Sequence, residues 1–569
     1  MKAVVLSMKA IRKINPAAKL IQTEDLGKTY SSPLLQYQSN FENIRRWLTF
    51  DLLCGNIQPG HVMWNHFIRL GIDQDSLNFF IENICPPDIM GFNYYITSER
   101  YLDENISNYP LEMQGGNELH SYVDVEAIRV PHNQANGLEF LLQEAWKKYK
   151  LPIAITEAYL NCGREDQKRW LKGIWDKSVK LKREGVDIKA VTAWSLFGSF
   201  GWDKLLTSNK MNYEVGAFDL RSDIPRPTAI TAMIRSLATS QNYEHPILYQ
   251  KGWWQTESRF LYNSIDKSLL YTNHNNSQPI LIFGKNGTLG KAFGKICRAR
   301  SINHKLLSRE DADVTNEGQI EKVIKQYNPW AIINATGYVS VDSAEDNIDK
   351  CFDVNCHAAY LLSKSCKKHG VQFLTFSSDL VFDGDKQKPY VESDKTNPLN
   401  VYGRSKAQAE CFIMKNDPDS LIVRTSSFFG PWDDYNFISK SISSVYANKK
   451  IIAADDVIIS PTYLPDLLNA SLDLLIDNES GIWHLTNNGE ISWADFAYVA
   501  LNQSGLNTDL IERQSLTFFN WKARRPNYSA LKSEKGIMLP SIQNALKRYI
   551  DERNIVAMEI ESLISDELK

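Results

Sequence analysis

Pro279–Gly290 reads PILIFGKNGTLG, and the fold of the second half of the chain turns on this stretch. The run up to Gly284 is apolar throughout, which suits a short strand buried on both faces. Gly284, Gly287 and Gly290 follow, and a helical pattern runs on to about Arg300. Glycines at these spacings let the chain turn tightly and let its backbone approach a pyrophosphate. The helix start offers free N–H groups and a partial positive charge to an anion. This order predicts a dinucleotide site formed by Gly284, Gly287, Thr288, Leu289 and Gly290. An ordinary turn could carry the same glycines, so the features downstream decide.

The next strand, Lys305–Ser308, ends at Ser308-Arg309. In such folds an acidic residue near this place binds the ribose of NAD, whereas an arginine accommodates the extra phosphate of NADP. Arg309 therefore points toward NADPH; a solvated surface arginine is the competing reading, and NADH stays open. Asp313 is expected to border the adenine pocket. Ala331–Thr336 (AIINAT) is a further buried strand with polar Asn334, followed by Ala335, at its ligand-binding end. Gln372–Ser378 (QFLTFSS) delivers Ser377, Ser378 and Asp379 to the same edge. In NPLNVYGRSKAQAE, Tyr402 and Lys406 are one helical turn apart and share a face.

That constellation has a chemistry. Reducing a ketone needs a proton at oxygen as hydride reaches carbon. A phenol with a pKa near 10 is a slow acid–base group at neutral pH, and an ammonium one turn away is expected to lower it. A strand-end serine can hold the carbonyl oxygen.

Residues 279–550 resemble the dTDP-4-dehydrorhamnose reductase branch of the extended short-chain dehydrogenases. The matching stretches are FGKNGTLG, VDSAE (Val341–Glu345), Val354-Asn355, SSDLVFDG (Ser377–Gly384), NPLNVYGRSK, RTS (Arg424–Ser426), SPTY (Ser460–Tyr463), GIWHLT (Gly481–Thr486) and RRPNYSAL (Arg524–Leu531). The resemblance implies a Rossmann-type doubly wound parallel sheet with a small substrate-binding subdomain. It also implies that Tyr402 is the proton donor, Lys406 its partner and ribose anchor, and Ser378 the replacement for a family threonine. A nucleotide-linked 4-keto sugar is the implied substrate, with Asp379, Arg424 and Arg525 on the substrate side. Three positions depart from the pattern: Leu380 and Ser427 replace a tyrosine and a tryptophan, and Asp456-Val-Ile-Ile459 replaces DQxG.

The first block carries four strand candidates, Lys19–Glu24, Asp88–Tyr95, Pro152–Glu157 and Val191–Phe197, separated by helical and loop segments. That is the rhythm of a β/α barrel, whose chemistry sits at the carboxyl ends of strands. The block resembles the second half of a family 1 glycoside hydrolase. Glu157 in ITEA matches the nucleophile position, Tyr95 the tyrosine beside it, and Trp194 and Trp202 the sugar-binding wall. Retaining hydrolysis needs two carboxyl groups about 5–5.5 Å apart. The acid/base residue belongs to a strand before this sequence begins, so Glu157 is expected to be inactive.

These readings divide the chain into a partial barrel at 1–238, a linker at 239–277 and a reductase block at 278–569. The 569 residues carry a net charge of −3, with 43% hydrophobic and 23% charged residues. That balance suits a soluble multidomain protein and gives no reason to expect nucleic acid or a membrane surface as partner. Val4, Val5, Met8 and Ile11 predict an amphipathic first helix in place of a signal peptide. The eight cysteines form no CxxC pair, so no metal site is expected, and reduced thiols in a cytoplasmic protein are. A homodimer, and a partner supplying the missing half barrel, are the associations to test. Two further readings stand beside the reductase: a non-catalytic protein that binds a nucleotide sugar or cofactor, and a retaining β-glycosidase remnant.

Overall fold

Four short strands of the first block lie side by side in chain order, all parallel: β1 (Ile21–Asp25), β2 (Ile89–Tyr94), β3 (Ile153–Ala158) and β4 (Ile188–Ala193). A computed structural model gives the structure of all residues except 132–134, 205–206, 208–211, 241, 262–276, 434 and 554–569. The amphipathic first helix, α1 (Lys2–Ile14), buries Val5 and Met8 and leaves Ile11 on the exposed side. Helices α2 (Gly137–Tyr149), α3 (Arg164–Arg183) and α4 (Ala229–Ser240) cover one face of the sheet. Phe92, Ile153 and Ile155 pack there against Leu138 and Leu142 of α2, Trp170 and Ile174 of α3, and Met233 of α4. Thr23, Gly91 and Thr156 meet on the opposite face. β1 and β4 each pair on one side only among the described residues. A closed barrel of this type takes about eight strands; this layer is an open parallel sheet, and closure into a barrel is not part of it.

The segment read as a linker is held from both sides. Ile247 is fully buried with Ile280 and Trp330 of the second block, whereas Trp253 and Trp254 pack on the first. Trp254 stands edge-on to Trp170, ring centres 5.2 Å apart. The Asn-rich stretch before Ser277 lies outside the described residues.

In the second block, Ile280 and Ile282 face one side of strand β5 (Ile280–Phe283) and Leu281 and Phe283 the other, each at most 1% exposed. A strand buried on both faces needs helices on both, and the sequence provides them. α5 (Thr288–Ala299) follows the glycine turn, and then come β6 (His304–Leu307), β7 (Ala331–Asn334), α6 (Ala358–His369), β8 (Gln372–Ser378), α7 (Val401–Asn416), β9 (Leu421–Thr425), α8 (Leu464–Ile476) and β10 (Gly481–His484). The six strands form one parallel sheet in the order β6-β5-β7-β8-β9-β10. α5 and α8 cover the Ile280 side; α6, α7 and the helix Glu317–Tyr327 cover the Leu281 side. The order reverses between β5 and β7, and ligands of open α/β sheets bind outside the carboxyl ends of the strands at such a point. A smaller part is built from short strand pairs, among them Ile451–Ala454 with Ile511–Gln514, around Phe429, Tyr463, Phe496 and Tyr549.

The two blocks meet along a charged seam between α3 and α8. Arg300, just past α5, pairs with Glu165 and with Asp473, 2.6 Å away. Arg164 reaches Asp477 at 2.7 Å, and Arg226 reaches Asp477 at 3.0 Å and Glu479 at 2.8 Å. The Arg164 and Asp477 side chains are at most 2% exposed. Among the described residues no helix is long and apolar enough to cross a membrane.

Candidate active site

The glycine turn is forced by the protein's own backbone. Gly284 has φ +104°, and a Cβ there would lie 2.6 Å from the Ala335 carbonyl oxygen. A Cβ on Gly290 would lie 2.1 Å from the Gly284 oxygen, so the first turn of α5 rests directly on the strand end. Gly287, the N-cap of α5, differs: its nearest neighbour would be 3.4 Å away. The protein itself leaves room there for a small side chain.

Two adjoining cavities share this turn. The smaller, about 310 Å³, is lined by Gly284–Gly287, Ser308, Arg309, Asp313, Ala335 and Gly337 among others. The larger, about 840 Å³, runs from Gly287, Thr288 and Leu289 past Asn334 and Ala335 to Ser378, Asp379, Tyr402 and Lys406. Apart from Gly290, which packs beneath the turn, the glycine, strand-end and helix residues named above line these two adjoining cavities. Arg309 is 78% exposed at the rim and pairs with Asp313 at 3.0 Å. Asn334 spends its polar atoms inside the protein, donating to Thr375 Oγ1 (3.1 Å) and accepting from Thr336 N and Oγ1 (3.1 and 2.6 Å). It ties β7 to β8 and shapes the cleft floor.

Tyr402 is brought to Ser378 by the start of α7. Asn400 caps the helix, its Oδ1 accepting from Gly403 N at 2.8 Å. Gly403 lets the helix lie against the end of β8, where a Cβ would come within 2.1 Å of the Leu380 oxygen. Burial holds the Tyr402 phenol above its ordinary pKa, the Asp379 carboxylate pushes the same way, and a hydrogen bond with Ser378 opposes them. Lys406, one turn on, donates to the Phe376 carbonyl at 3.1 Å, and burial lowers its pKa to about 8. The expected lowering of the tyrosine by the lysine is therefore absent: the ammonium lies 5.9 Å from the ring centre, and desolvation outweighs it.

On the substrate side the arginines separate. Arg525 lines the larger cavity, held on Asp342 at 2.8 Å and over the Trp521 ring. Arg424 does not reach the cavity, which corrects its reading as a substrate ligand. Its side chain is 3% exposed and forks onto Glu410 (2.9 and 2.7 Å), with His484 Nε2 accepting from it at 3.2 Å. A strand-end arginine in a sugar-nucleotide motif looks like a ligand in sequence, but here a buried carboxylate on α7 claims it.

Asp379 is bonded to three serine hydroxyls, Ser378 (2.9 Å), Ser426 (2.9 Å) and Ser529 (2.7 Å). Ser426 and Ser529 lie in the RTS and RRPNYSAL stretches but had no assigned role. Ser377 Oγ is buried without a partner and lines the same cavity. Trp432, Trp493 and Trp521 supply an aromatic wall beside Leu380 and Ser427; scattered single tryptophans gave no pattern from which to find it.

In the first block, Tyr95 donates a hydrogen bond to Glu157 Oε2, and the Trp194 and Trp202 rings lie 5.9 Å apart. Burial, then the Glu157 carboxylate, pushes the Tyr95 phenol well up.

Residues 278–555 match the RmlD substrate binding domain. A dTDP-4-dehydrorhamnose reductase of Aggregatibacter actinomycetemcomitans is 32% identical over 286 residues, which is 47% of this chain and 97% of that protein. The chain belongs to the dTDP-4-dehydrorhamnose reductase family. Another relative in that range is the spore coat polysaccharide biosynthesis protein SpsK of Bacillus subtilis, 30% identical over 279 residues, 48% of this chain and 98% of that one. Among solved structures, a dTDP-4-dehydrorhamnose reductase from Bacillus anthracis in complex with NADP is 29% identical, with a TM-score of 0.46 over 48% of this chain and 99% of its own. The family match begins at residue 278 and leaves the first block outside it.

Proposed function

We propose that the second block reduces a nucleotide-linked 4-keto sugar, dTDP-4-dehydro-L-rhamnose to dTDP-L-rhamnose, with NADPH or NADH as co-substrate. The observation that carries this reading is the placement of Ser378, Tyr402 and Lys406 in a cleft continuous with the glycine turn. The start of α5 and Gly284–Gly287 would hold the pyrophosphate. Arg309 on the rim would meet a ribose phosphate. The nicotinamide supplies hydride to the carbonyl carbon when bound. Ser378 holds the carbonyl oxygen, Tyr402 gives that oxygen its proton, and Lys406 anchors the ribose and restores charge balance. Arg525, fixed by Asp342, offers a cation to the nucleotide sugar's phosphates.

The test follows NADPH and NADH consumption with dTDP-4-keto-L-rhamnose generated in situ. Tyr402→Phe is expected to lose turnover by on the order of 10²-fold or more while cofactor affinity stays within a few-fold, since one proton is removed. Turnover close to the parent's would refute the assignment.

For the first block we infer a glycosidase-like layer that keeps the Glu157–Tyr95 pair. The Glu157–Tyr95 hydrogen bond supports this reading.

A further inference from the structure

With Asp379 ionised, Ser378 has no hydrogen left to give a substrate. A hydroxyl has one hydrogen to give and two lone pairs to accept with. Ser378 Oγ accepts from Leu380 N at 3.1 Å and lies 2.9 Å from Asp379 Oδ1. Against a carboxylate, which can only accept, the serine must spend its hydrogen on Asp379. Nothing is then left for a substrate carbonyl oxygen, and the hydroxyl is turned away from the role that the reductase reading gives it.

The other side of Asp379 shows what a neutral carboxyl would find. Ser426 and Ser529 both approach Oδ2, at 2.9 and 2.7 Å, so both can donate to a carbonyl oxygen. Ser378 is the side chain bonded to Oδ1 among the described residues. A proton on Oδ1 is therefore compatible with all three contacts: Oδ2 accepts twice and Oδ1–H donates to Ser378. Asp379 is 6% exposed, with no arginine, lysine or histidine bonded to it among the described residues. The groups that face it are Tyr402 from α7 and these serines, from β8, the end of β9 and the 524–531 segment; Lys406 and Arg525 line the same cavity and are bonded elsewhere.

Resting on the proposed reductase function, we propose that Asp379 is a positioning residue that holds a proton in the working enzyme, donates it in a hydrogen bond to Ser378 Oγ, and so turns the serine's own hydrogen toward the substrate carbonyl oxygen. The proton stays on Asp379 throughout; the one consumed in the reduction comes from Tyr402, and hydride comes from NAD(P)H. Burial raises the Asp379 carboxyl above its ordinary range, and the three serine bonds and the residue's own backbone N–H oppose that without cancelling it. A neutral Asp379 also removes the negative charge that makes Tyr402 a weaker acid. The sign follows: below the raised pKa the serine is correctly turned, and as pH rises through it the serine is captured and Tyr402 is held back.

Two measurements test this. The first is the pH dependence of kcat/KM with NADPH and in situ dTDP-4-keto-L-rhamnose for the full-length protein, Asp379→Asn and Asp379→Ala. Asparagine is neutral at every pH and can donate to Ser378 through Nδ2. Asp379→Asn should move the alkaline fall in activity to higher pH, and Asp379→Ala should lose on the order of 10²-fold in kcat, of which asparagine restores most. The same alkaline limb in the parent and in Asp379→Asn overturns the proposal. The second needs no turnover: the infrared difference spectrum of parent minus Asp379→Asn at neutral pH should show the carbonyl stretch of a protonated carboxyl. Carboxylate bands in its place overturn the proposal. A parent that shows the protonated band but reduces no 4-keto sugar refutes the substrate reading and leaves the neutral carboxyl standing.

Discussion

Arg300→Met cuts the seam at a buried cation that bridges two carboxylates. The Arg300 guanidinium contacts Glu165, whose side chain is 1% exposed, and Asp473. Methionine fills much of the volume and removes the charge, leaving two carboxylates facing one another between α3 and α8. Removing one partner of a buried pair costs about 3–5 kcal/mol. At roughly 2–4 °C per kcal/mol for domains of 150–250 residues, the melting point should fall by on the order of 10 °C. The seam also couples the blocks, so calorimetry should show one transition splitting into two, the general behaviour of weakly joined domains. Adding Glu165→Gln removes half of the stranded charge and should recover a substantial part of the loss. Activity measured well below the transition should persist. α5 has 12 residues, which places Arg300 ~18 Å along the helix from the glycine turn. A single variant that melts within about 1 °C of the parent in one transition would refute the reasoning: the seam charges would then be solvated or independently satisfied.

Arg424→Met should destabilise by about 3–5 kcal/mol through stranded Glu410, with KM for the sugar nucleotide within two-fold or so of the parent; a selective rise in KM with unchanged melting would restore Arg424 as a ligand. At the glycine turn, Gly290→Val should abolish dinucleotide binding and lower stability, because its Cβ would overlap the Gly284 carbonyl. Gly287→Ala should leave stability near the parent value, so weakened NADPH titration there would report the ligand's own closeness; equal loss of melting temperature in both variants would contradict the spacing.

The sequence carried the second block's fold because two-sided burial leaves a visible trace. ILIF, AIIN and QFLTF are apolar at consecutive positions, and each ends in a glycine or polar residue where the ligand edge begins. The grouping of Ser378, Tyr402 and Lys406 was legible too: Ser378 ends a strand, and Tyr402 and Lys406 share a helix face. In the first block the strands at Ile89–Tyr94 and Ile153–Ala158 were legible as apolar runs, whereas Ile188–Ala193 begins three residues before the run at Val191–Phe197 that pointed to it. The sheet of Lys28–Ser31, Glu99–Asp103, Ser121–Glu126 and Gln114–Gly116 left no clear apolar trace. Closure was not legible, since it depends on which strands are present to pair with β1 and β4. In the linker, Asn, Ser and Gln predict a loose segment and Trp253 and Trp254 a packed aromatic stretch. These tryptophans do pack on the first block, whereas Ile247, which gives no such signal in sequence, pins the segment to the second.

What sequence patterns miss is who spends each polar atom. Arg424 and Arg525 both lie in sugar-nucleotide motifs, and their chemistry is identical in isolation. Glu410, 14 positions earlier on α7, claims the first; Asp342, 183 positions earlier, holds the second at the cavity wall. Asn334 looks like a ligand and turns out to bridge β7 and β8. Asp379 looks like a ligand and is enclosed by serines from three separate segments, the farthest 150 positions away. Each assignment depends on contacts whose partners are remote in sequence, and a buried polar group left unmatched costs more than a formed hydrogen bond returns. The fold therefore decides which members of a recognisable motif remain free to meet a ligand. At this site that rule leaves Tyr402, Ser377 and Arg525 facing the cleft, and it makes the freedom of Ser378 depend on one proton held by Asp379.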